Sequence, residues 1–167
     1  MNMQIIRYSS SQEVVFRSQF LSYFLEDLKI PLTPRQVNEK ICTFLLRQVE
    51  KGVVFLDLLY RDETPIGFCL YQIDKNESDW CKREGWGFIR EFYIEQSERR
   101  QSCGTYLCRA VEKRLYEMGA NDLYLTADSA VPFWEANGYS KEGPADMEGI
   151  FTLSMERAVP APCVYAP

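Results

Sequence analysis

The sequence predicts a protein of mixed α/β class, with a central mixed sheet and helices on both of its faces. Three observations lead to this class. Apolar residues recur at helical spacing in two segments near the start, and three apolar, β-rich runs follow them. The second half then alternates helix and strand. Because a strand, a helix and another strand in succession form a crossover between parallel strands, we expect the sheet to contain both strand directions.

The first part of the chain is predicted to form a short strand at Ile5-Ile6 and then two amphipathic helices. Pro31 ends the first helix, and Gly52 ends the second. Each helix should begin with a capping box, in which a serine or threonine pairs with a glutamate or glutamine three residues later. The pairs are Ser10 with Glu13 and Thr33 with Gln36, and Pro34 lies in the first turn of the second helix.

The remaining elements alternate in type. Two strands, 53–60 and 66–73, are joined by a hairpin over 61–65 and followed by a polar loop over 74–84. A third strand (87–95), a helix (102–118), a strand (122–126), a short helix (130–136, capped by Asp128 or Ser129) and a last strand (150–155) complete the order. We expect one domain over 1–158 and an extended tail over 159–167.

Composition excludes several kinds of site. The chain of 167 residues has six cysteines and no histidine, and no two cysteines have C-x-x-C spacing. A Cys/His zinc site and any catalytic group that needs histidine are therefore excluded, and we expect no metal. The formal net charge of −5 argues against a nucleic-acid partner. Without a long apolar run or a signal sequence, we expect no membrane partner and a cytoplasmic location.

The segment from Glu91 to Leu107 carries the chemistry. A strand ends near Ile94, a polar turn with two arginines follows, and a helix begins near Ser102. The first turn of a helix has unpaired N–H groups and the positive end of the helix dipole, which together favour phosphate. The alternative interpretation is a solvated turn and an ordinary helix start without a ligand. Physical reasoning from the residues alone does not decide between the two.

This segment resembles motif A of the GNAT superfamily of N-acetyltransferases, whose turn reads Q/R-x-x-G-x-G/A after a strand. Arg99 takes the first position, Ser102 that of the first glycine and Gly104 that of the second. Two later segments, Leu123–Thr126 and Phe133–Tyr139, are similar to motif B, in which a strand is followed by a helix that ends in Gly-Tyr or Gly-Phe. The hairpin with Pro65-Ile66-Gly67-Phe68 fits two further strands of the family.

The resemblance implies a sheet of six to seven strands and acetyl-CoA as the co-substrate. It implies that the chain transfers an acetyl group by direct attack to a primary amine of a small molecule or peptide. A homodimer is one assembly that we consider for the chain. The implied cofactor-binding residues are Phe92, Tyr93, Ile94, Arg99, Arg100, Gln101, Ser102, Cys103, Gly104, Thr105, Asp128, Phe133 and Trp134.

The sequence departs from the family pattern at two positions. Ser102 replaces the first glycine, which changes the pattern little because serine is small. Trp134 lies where many members carry a tyrosine that protonates the departing thiolate, and tryptophan cannot do so at neutral pH. We expect Trp134 to be a core or cofactor-wall aromatic, and Tyr139 to be mainly a packing residue. The departing thiolate would then take a proton from water or from another group, or it would leave without an acid.

Glu91 is the candidate catalytic base, since the family often places an acidic residue at this point of the strand. Alternation puts Ile89, Glu91 and Tyr93 on one face of that strand. The competing interpretation is that Glu91 is paired with a basic neighbour or solvated. The resemblance also implies that the N–H of Ile94 donates to the thioester oxygen.

Cys103 is not assigned as a nucleophile. A helix start beside two arginines favours a thiolate, but no base or orienting group is visible. Acceptor recognition is assigned to the first two helices and the loop 29–35, where Tyr23, Glu26 and Asp27 would favour a cation.

Two other functions are alternatives. The first is a coenzyme A-binding sensor or interaction module without catalysis. A plain nucleotide binder is the weaker option, because neither G-x-x-x-x-G-K-[ST] nor G-x-G-x-x-G is present.

Overall fold

A computed structural model describes residues 2–127, 129–143 and 149–155 of the chain. The described residues group into two compact units. The first contains the chain up to Tyr71 together with Glu91–Leu107, and the second contains Gln72–Arg90 together with the described residues from Cys108 onward. The expected single domain over 1–158 stays a prediction. The expected tail over 159–167 lies outside the described residues.

Seven strands form one mixed sheet in the order β1-β2-β3-β4-β5-β7-β6. Their bounds are β1 Met3–Arg7, β2 Phe55–Arg61, β3 Thr64–Ile73, β4 Gly87–Ile94, β5 Asp122–Thr126, β6 Ser140–Lys141 and β7 Ile150–Ser154. The first three strands pair antiparallel, whereas β4 and β5 pair in parallel at Gly87–Leu123 and Phe88–Tyr124. The predicted mixed class is confirmed. The two-residue strand β6 has no counterpart in the prediction.

Helices flank this sheet. Their bounds are α1 Glu13–Ser22, α2 Pro34–Gln36, α3 Thr43–Glu50, α4 Cys103–Glu117 and α5 Val131–Ala136. Two π-helical turns, Tyr23–Asp27 after α1 and Val37–Cys42 between α2 and α3, were not predicted. None of the helices in the described ranges combines the length and the apolar character that a membrane span requires.

The core of the first unit lies between the helices near the start of the chain and the strands β2 to β4. Phe16 and Phe20 of α1 are buried, and the ring of Phe16 packs edge-on at 5.0 Å from that of Phe68 on β3. Leu45 and Leu46 of α3 join the same cluster. Burial of a large apolar side chain contributes roughly 1.5–3 kcal/mol, so this cluster fixes the helices against the sheet.

Of the two predicted capping boxes, one is confirmed and one is wrong. Thr33 Oγ1 accepts the N–H of Gln36 at 3.1 Å, and Gln36 Oε1 accepts the N–H of Thr33 at 2.9 Å. At the first helix the pair is Ser9 with Gln12, one residue earlier than predicted. Three consecutive serines offer the same capping chemistry, so the local pattern does not select among them.

The connection between β2 and β3 is tighter than predicted. Instead of a five-residue hairpin, the turn has only Asp62 and Glu63 between the strands, both with positive φ (45° and 72°). Positive φ at both turn residues matches the twist of the strands in a two-residue hairpin. Pro65 therefore lies inside β3, and a register irregularity at Leu59 and Tyr60 accommodates it.

At α5 the predicted cap is also wrong. The helix begins after Ala130, which has φ of 57°, and no side chain caps it. Ser129 therefore does not take that role, and Asp128 lies outside the described residues.

Gly67 permits the close approach of β3 and β4. A Cβ at this position would lie 2.4 Å from the carbonyl oxygen of Tyr93 and 2.9 Å from Cδ1 of Ile94. Gly67→Ala should therefore lower the free energy of unfolding by about 2–3 kcal/mol in urea denaturation. Thr64→Ala, at the exposed end of the same strand, should change it by less than about 0.5 kcal/mol. Equal effects of the two changes would contradict the close contact.

Candidate functional site

The candidate base Glu91 lies on the face of β4 that packs against the π-helical turn after α1. The hydroxyl of Tyr23 donates a hydrogen bond to Oε2 of Glu91, and the ring of Tyr23 lies 6.0 Å from that of Tyr93. Glu91 and Tyr93 therefore share a face, as alternation predicts. The hydroxyl donor to Glu91 comes from Tyr23, a partly buried residue that sequence reasoning had assigned only to acceptor binding.

The hydroxyl of Tyr23 keeps its proton because of its surroundings. Burial, followed by the charge of Glu91 and the hydrogen bond to it, raises the pKa of Tyr23 far above its ordinary value of 10. The hydroxyl therefore keeps its proton at neutral pH and acts as a permanent donor to the carboxylate.

The backbone of β4 directs the N–H of Ile94 away from β3. The next N–H, that of Glu95, donates to the carbonyl of Ile66 on β3 at 2.7 Å. Because successive N–H groups of an extended strand point to opposite sides, the N–H of Ile94 points to the side opposite β3. This orientation agrees with the predicted donor role toward an oxygen on that side.

The turn from β4 to α4 contains two non-glycine residues in the left-handed region. Gln96–Glu98 form one 3₁₀ turn, Arg100 has φ of 61°, Ser102 has φ of 66°, and α4 begins at Cys103. Ser102 thus adopts the conformation for which glycine is favoured at the first-glycine position of motif A. The side chains of Gln101, Ser102 and Thr105 are exposed, so the helix start is open to solvent.

The two arginines of this turn differ in their surroundings. Arg99 Nε donates to the carbonyl of Ile94 at 2.7 Å, its Nη2 pairs with Asp27, and its guanidinium lies 5.7 Å from the centre of the Tyr93 ring. Arg99 is therefore bound within the first unit. Arg100 is exposed, and among the described residues no hydrogen bond or ion pair holds its guanidinium group. Arg100 is the more available cation for an anionic ligand.

Cys103 faces the interior rather than the open side of the turn. It is only 1% exposed, and Nη2 of Arg61 lies 2.6 Å from its sulfur. Arg61 also donates to Oε1 of Gln101 at 3.1 Å and pairs with Glu98 at 3.4 Å. The decision against Cys103 as a nucleophile fits this burial, and only its backbone remains available to a ligand. Arg61, at the end of β2, is the residue organising this turn that sequence reasoning missed.

The family comparison agrees with this geometry. The sequence model of the acetyltransferase (GNAT) family matches residues 17–139, which is most of the chain. The chain belongs to the GNAT acetyltransferase family. GNAT proteins are acyltransferases, and the match includes β4, the turn with Arg99 and Arg100, α4, and the segment of motif B.

A curated relative and solved structures are consistent with GNAT membership. The chain is 28% identical over 83 residues to the uncharacterized N-acetyltransferase YjcF of Bacillus subtilis, covering 49% of this chain and 53% of that protein. The chain thus spans about half the length of the curated relative that it matches.

Two solved structures share the GNAT fold. The PaiA N-acetyltransferase of Thermoplasma acidophilum, in complex with coenzyme A, matches with a TM-score of 0.72 at 14% identity, covering 92% of this chain and 99% of that one. A GNAT acetyltransferase of Staphylococcus aureus Mu50 matches with a TM-score of 0.69 at 15% identity, with the same coverage of both chains. At sequence identities of 14% and 15%, the similarity to these two structures establishes the fold alone.

In the second unit, Trp134 is a buried aromatic residue. Trp134 is 5% exposed, and its ring packs edge-on against Phe133 at 4.9 Å and Tyr139 at 5.3 Å. An indole presents only an N–H donor, so the expectation that Trp134 is a packing aromatic agrees with its surroundings.

Tyr139 is part of a buried polar cluster. It is 2% exposed and donates to Oε2 of the buried Glu112 at 2.8 Å, while Cys108 Sγ lies 3.1 Å from the same oxygen. Arg109 binds the other oxygen of Glu112 at 2.7 Å. Burial, then the charges of Cys108 and Glu112, raise the pKa of Tyr139 well above its ordinary value. These contacts agree with a packing role rather than that of an acid.

The predicted cofactor-binding residues are divided between the units. Phe92 to Ile94 and Arg99 to Thr105 lie in the first unit, and Phe133 and Trp134 lie in the second. Within the first unit, a short connection joins the end of β4 to the start of α4. Arg99 binds the carbonyl of Ile94 at one end of this connection, and Arg61 binds the side chain of Gln101 at the other.

The conformation of Ser102 gives a direct test of the turn. Ser102→Gly should keep the free energy of unfolding unchanged or raise it by up to about 1 kcal/mol, because glycine adopts positive φ without strain. Ser102→Val should lower it by about 1–2 kcal/mol, because a β-branched residue is strongly disfavoured there. Urea denaturation measures both. If valine were tolerated as well as glycine, Ser102 would not have positive φ in solution.

Proposed function

We propose that this chain is an N-acetyltransferase that transfers the acetyl group of acetyl-CoA to a primary amine by direct attack. The observation that carries the proposal is the open start of α4, where two residues of positive φ precede the helix and no residue in the described part of the chain binds the guanidinium of Arg100. The start of a helix also presents unpaired N–H groups and the positive end of the helix dipole, and beside a cationic side chain both favour an anionic ligand.

Coenzyme A fits these residues chemically. Its pyrophosphate would meet the N–H groups at the start of α4, over Ser102 to Thr105, with Arg100 adding charge-assisted hydrogen bonds. Arg99 would act by holding the turn to Ile94 and Asp27, and Gln101 by its exposed side chain. The backbone of Phe92, Tyr93 and Ile94 would pair with the pantetheine arm. When bound, acetyl-CoA supplies an acetyl thioester that a neutral amine can attack.

Glu91 is proposed to accept the proton of the acceptor amine, directly or through water. A lysine-like amine has a pKa near 10.4, so its neutral form costs about 4–5 kcal/mol at pH 7. A carboxylate that is held in one orientation can remove this proton as the amine enters. The N–H of Ile94, which points away from β3, is proposed to donate to the oxygen that develops charge.

The departing thiolate is proposed to leave without a protein acid. Trp134 has no suitable proton, and Tyr139 is buried and hydrogen-bonded to Glu112. A thiol of pKa near 8.5 is a good leaving group close to neutral pH, and water can protonate it afterwards.

We further propose that Glu26 and the loop 29–35 face the acceptor, whereas the carboxylate of Asp27 pairs with Arg99. We also propose a cytoplasmic location and a homodimer.

A second candidate function is a coenzyme A-binding module without catalysis. The tryptophan at position 134, in place of the acid tyrosine of many family members, favours it. The two functions are separated by incubation with acetyl-CoA and a panel of primary amines, scored by release of free thiol. Release that depends on the amine supports the transferase, whereas tight binding of coenzyme A without release on any amine supports the module.

Replacement of the base should produce a pH-dependent defect. Glu91→Gln is expected to lower kcat/KM at pH 7 by about 10²–10⁴-fold, because the site then lacks a proton acceptor. Part of the loss should be recovered near pH 10, where the amine is largely neutral in solution. Steady-state thiol release from pH 6 to pH 10 measures the effect.

Glu95→Gln is the matched control, since Glu95 follows β4 and also accepts a tyrosine hydroxyl, that of Tyr93 at 3.1 Å. It should change kcat/KM only a few-fold. An unchanged rate for Glu91→Gln would remove Glu91 from the mechanism.

Loss of the charge of Arg100 should weaken coenzyme A binding. Arg100→Ala is expected to raise the Kd for coenzyme A about tenfold at low salt and to reduce the dependence of Kd on ionic strength. Isothermal titration at two salt concentrations measures both quantities. Arg47→Ala removes an equal charge from the exposed face of α3 and should leave both unchanged. If the two variants behaved alike, Arg100 would not contact the phosphates.

A further inference from the structure

We propose that Tyr23 is a positioning residue for the base, holding the carboxylate of Glu91 in the orientation in which it receives the proton of the acceptor amine. This inference rests on the proposed function, because it assigns a role relative to Glu91 as base. It extends the site from β4 to the π-helical turn Tyr23–Asp27, which packs against the same face of that strand.

The hydroxyl of Tyr23 connects the π-helical turn directly to β4, because its proton goes to Oε2 of Glu91. This donor fixes one carboxylate oxygen relative to the turn that carries Tyr23. Rotation of the carboxylate would break a hydrogen bond to a charged group, which is among the stronger kinds in proteins.

The ring of Tyr23 is itself fixed by aromatic neighbours. The rings of Phe24, Phe68 and Tyr93 lie 5.6, 5.7 and 6.0 Å from it, each in an edge-on arrangement. The residue also begins a π-helical turn, a feature that occurs frequently at functional sites. The hydroxyl is therefore held in place before any ligand binds, as a positioning residue requires.

Tyr23 orients the base rather than relaying its proton. Onward transfer would require the hydroxyl to lose the proton that it donates to Glu91, and burial beside a carboxylate disfavours that loss. The other titratable neighbours are Cys69 on β3 and Tyr93 on β4, whose pKa values are both raised by burial. Both stay neutral near pH 7, and the guanidinium of Arg99 lies over the Tyr93 ring. Changes in the pH profile below neutrality therefore report on Glu91.

The test is the pH dependence of thiol release by the Tyr23→Phe variant of the full chain, with the most reactive amine of the panel. A hydrogen bond to the carboxylate favours its charged form, so its removal should move the acidic limb of kcat/KM to higher pH by about one unit. Loss of orientation should lower kcat on the plateau by about threefold to a hundredfold. The KM for acetyl-CoA should stay within about twofold of the wild type, because Tyr23 does not belong to the proposed coenzyme A contacts.

Tyr71→Phe is the matched control. Tyr71 is buried in the same unit and donates to a buried carboxylate, Oδ2 of Asp57, at 2.7 Å. It should lower stability in a similar way and leave the acidic limb of kcat/KM in place.

A second measurement serves the case in which Tyr23→Phe folds poorly. Meta-fluorotyrosine at position 23 keeps the hydroxyl and makes it a stronger donor, so the acidic limb of kcat/KM should move to lower pH.

An acidic limb that does not move in either Tyr23 variant, while Glu91→Gln is strongly impaired, would overturn the positioning role and leave the base in place. An unimpaired Glu91→Gln variant would instead remove the base itself. A shift of equal size in Tyr71→Phe would assign the effect to general loss of stability and also overturn the proposal.

Discussion

The candidate site depends on the conformation of the backbone between β4 and α4. Arg100 and Ser102 both adopt positive φ, and these two left-handed residues turn the chain into α4 at the end of the short connection 95–102. The strand supplies directed peptide groups, and the helix start supplies several exposed N–H groups and the positive end of a dipole. A longer or more relaxed connection would separate the strand from the helix start, and with them the two kinds of contact that an acyl carrier with a diphosphate requires.

The helical segment before this strand stabilises the same region through polar contacts. Asp27 and the carbonyl of Ile94 bind Arg99, and Tyr23 binds Glu91, so one π-helical turn is bonded both to the candidate base and to the turn between β4 and α4. The apolar cluster around Phe20 and Phe68 fixes that turn against the sheet. The core therefore positions the site as well as stabilising the fold.

The sequence predicted those features that depend on neighbouring residues. The Thr33–Gln36 capping box and the strand–turn–helix segment from Glu91 onward were found because their signals lie within a few residues. The cap at Ser9 was misplaced by one residue because adjacent serines are equivalent locally. The distinct surroundings of Arg99 and Arg100 could not be predicted, since the partner of Arg99 is Asp27, 72 residues away. The Tyr23–Glu91 contact, 68 residues apart, is likewise a product of tertiary packing.

The most direct test follows the backbone amides of the ¹⁵N-labelled protein by NMR during titration with coenzyme A. The largest shifts are expected at Ile94 and at Ser102 to Thr105, and they should follow one binding curve. A control titration with pantetheine, which lacks the diphosphate, should shift Ile94 and leave the start of α4 unchanged. Saturable binding of coenzyme A that leaves the amides of Ser102 to Thr105 unshifted would contradict the diphosphate site.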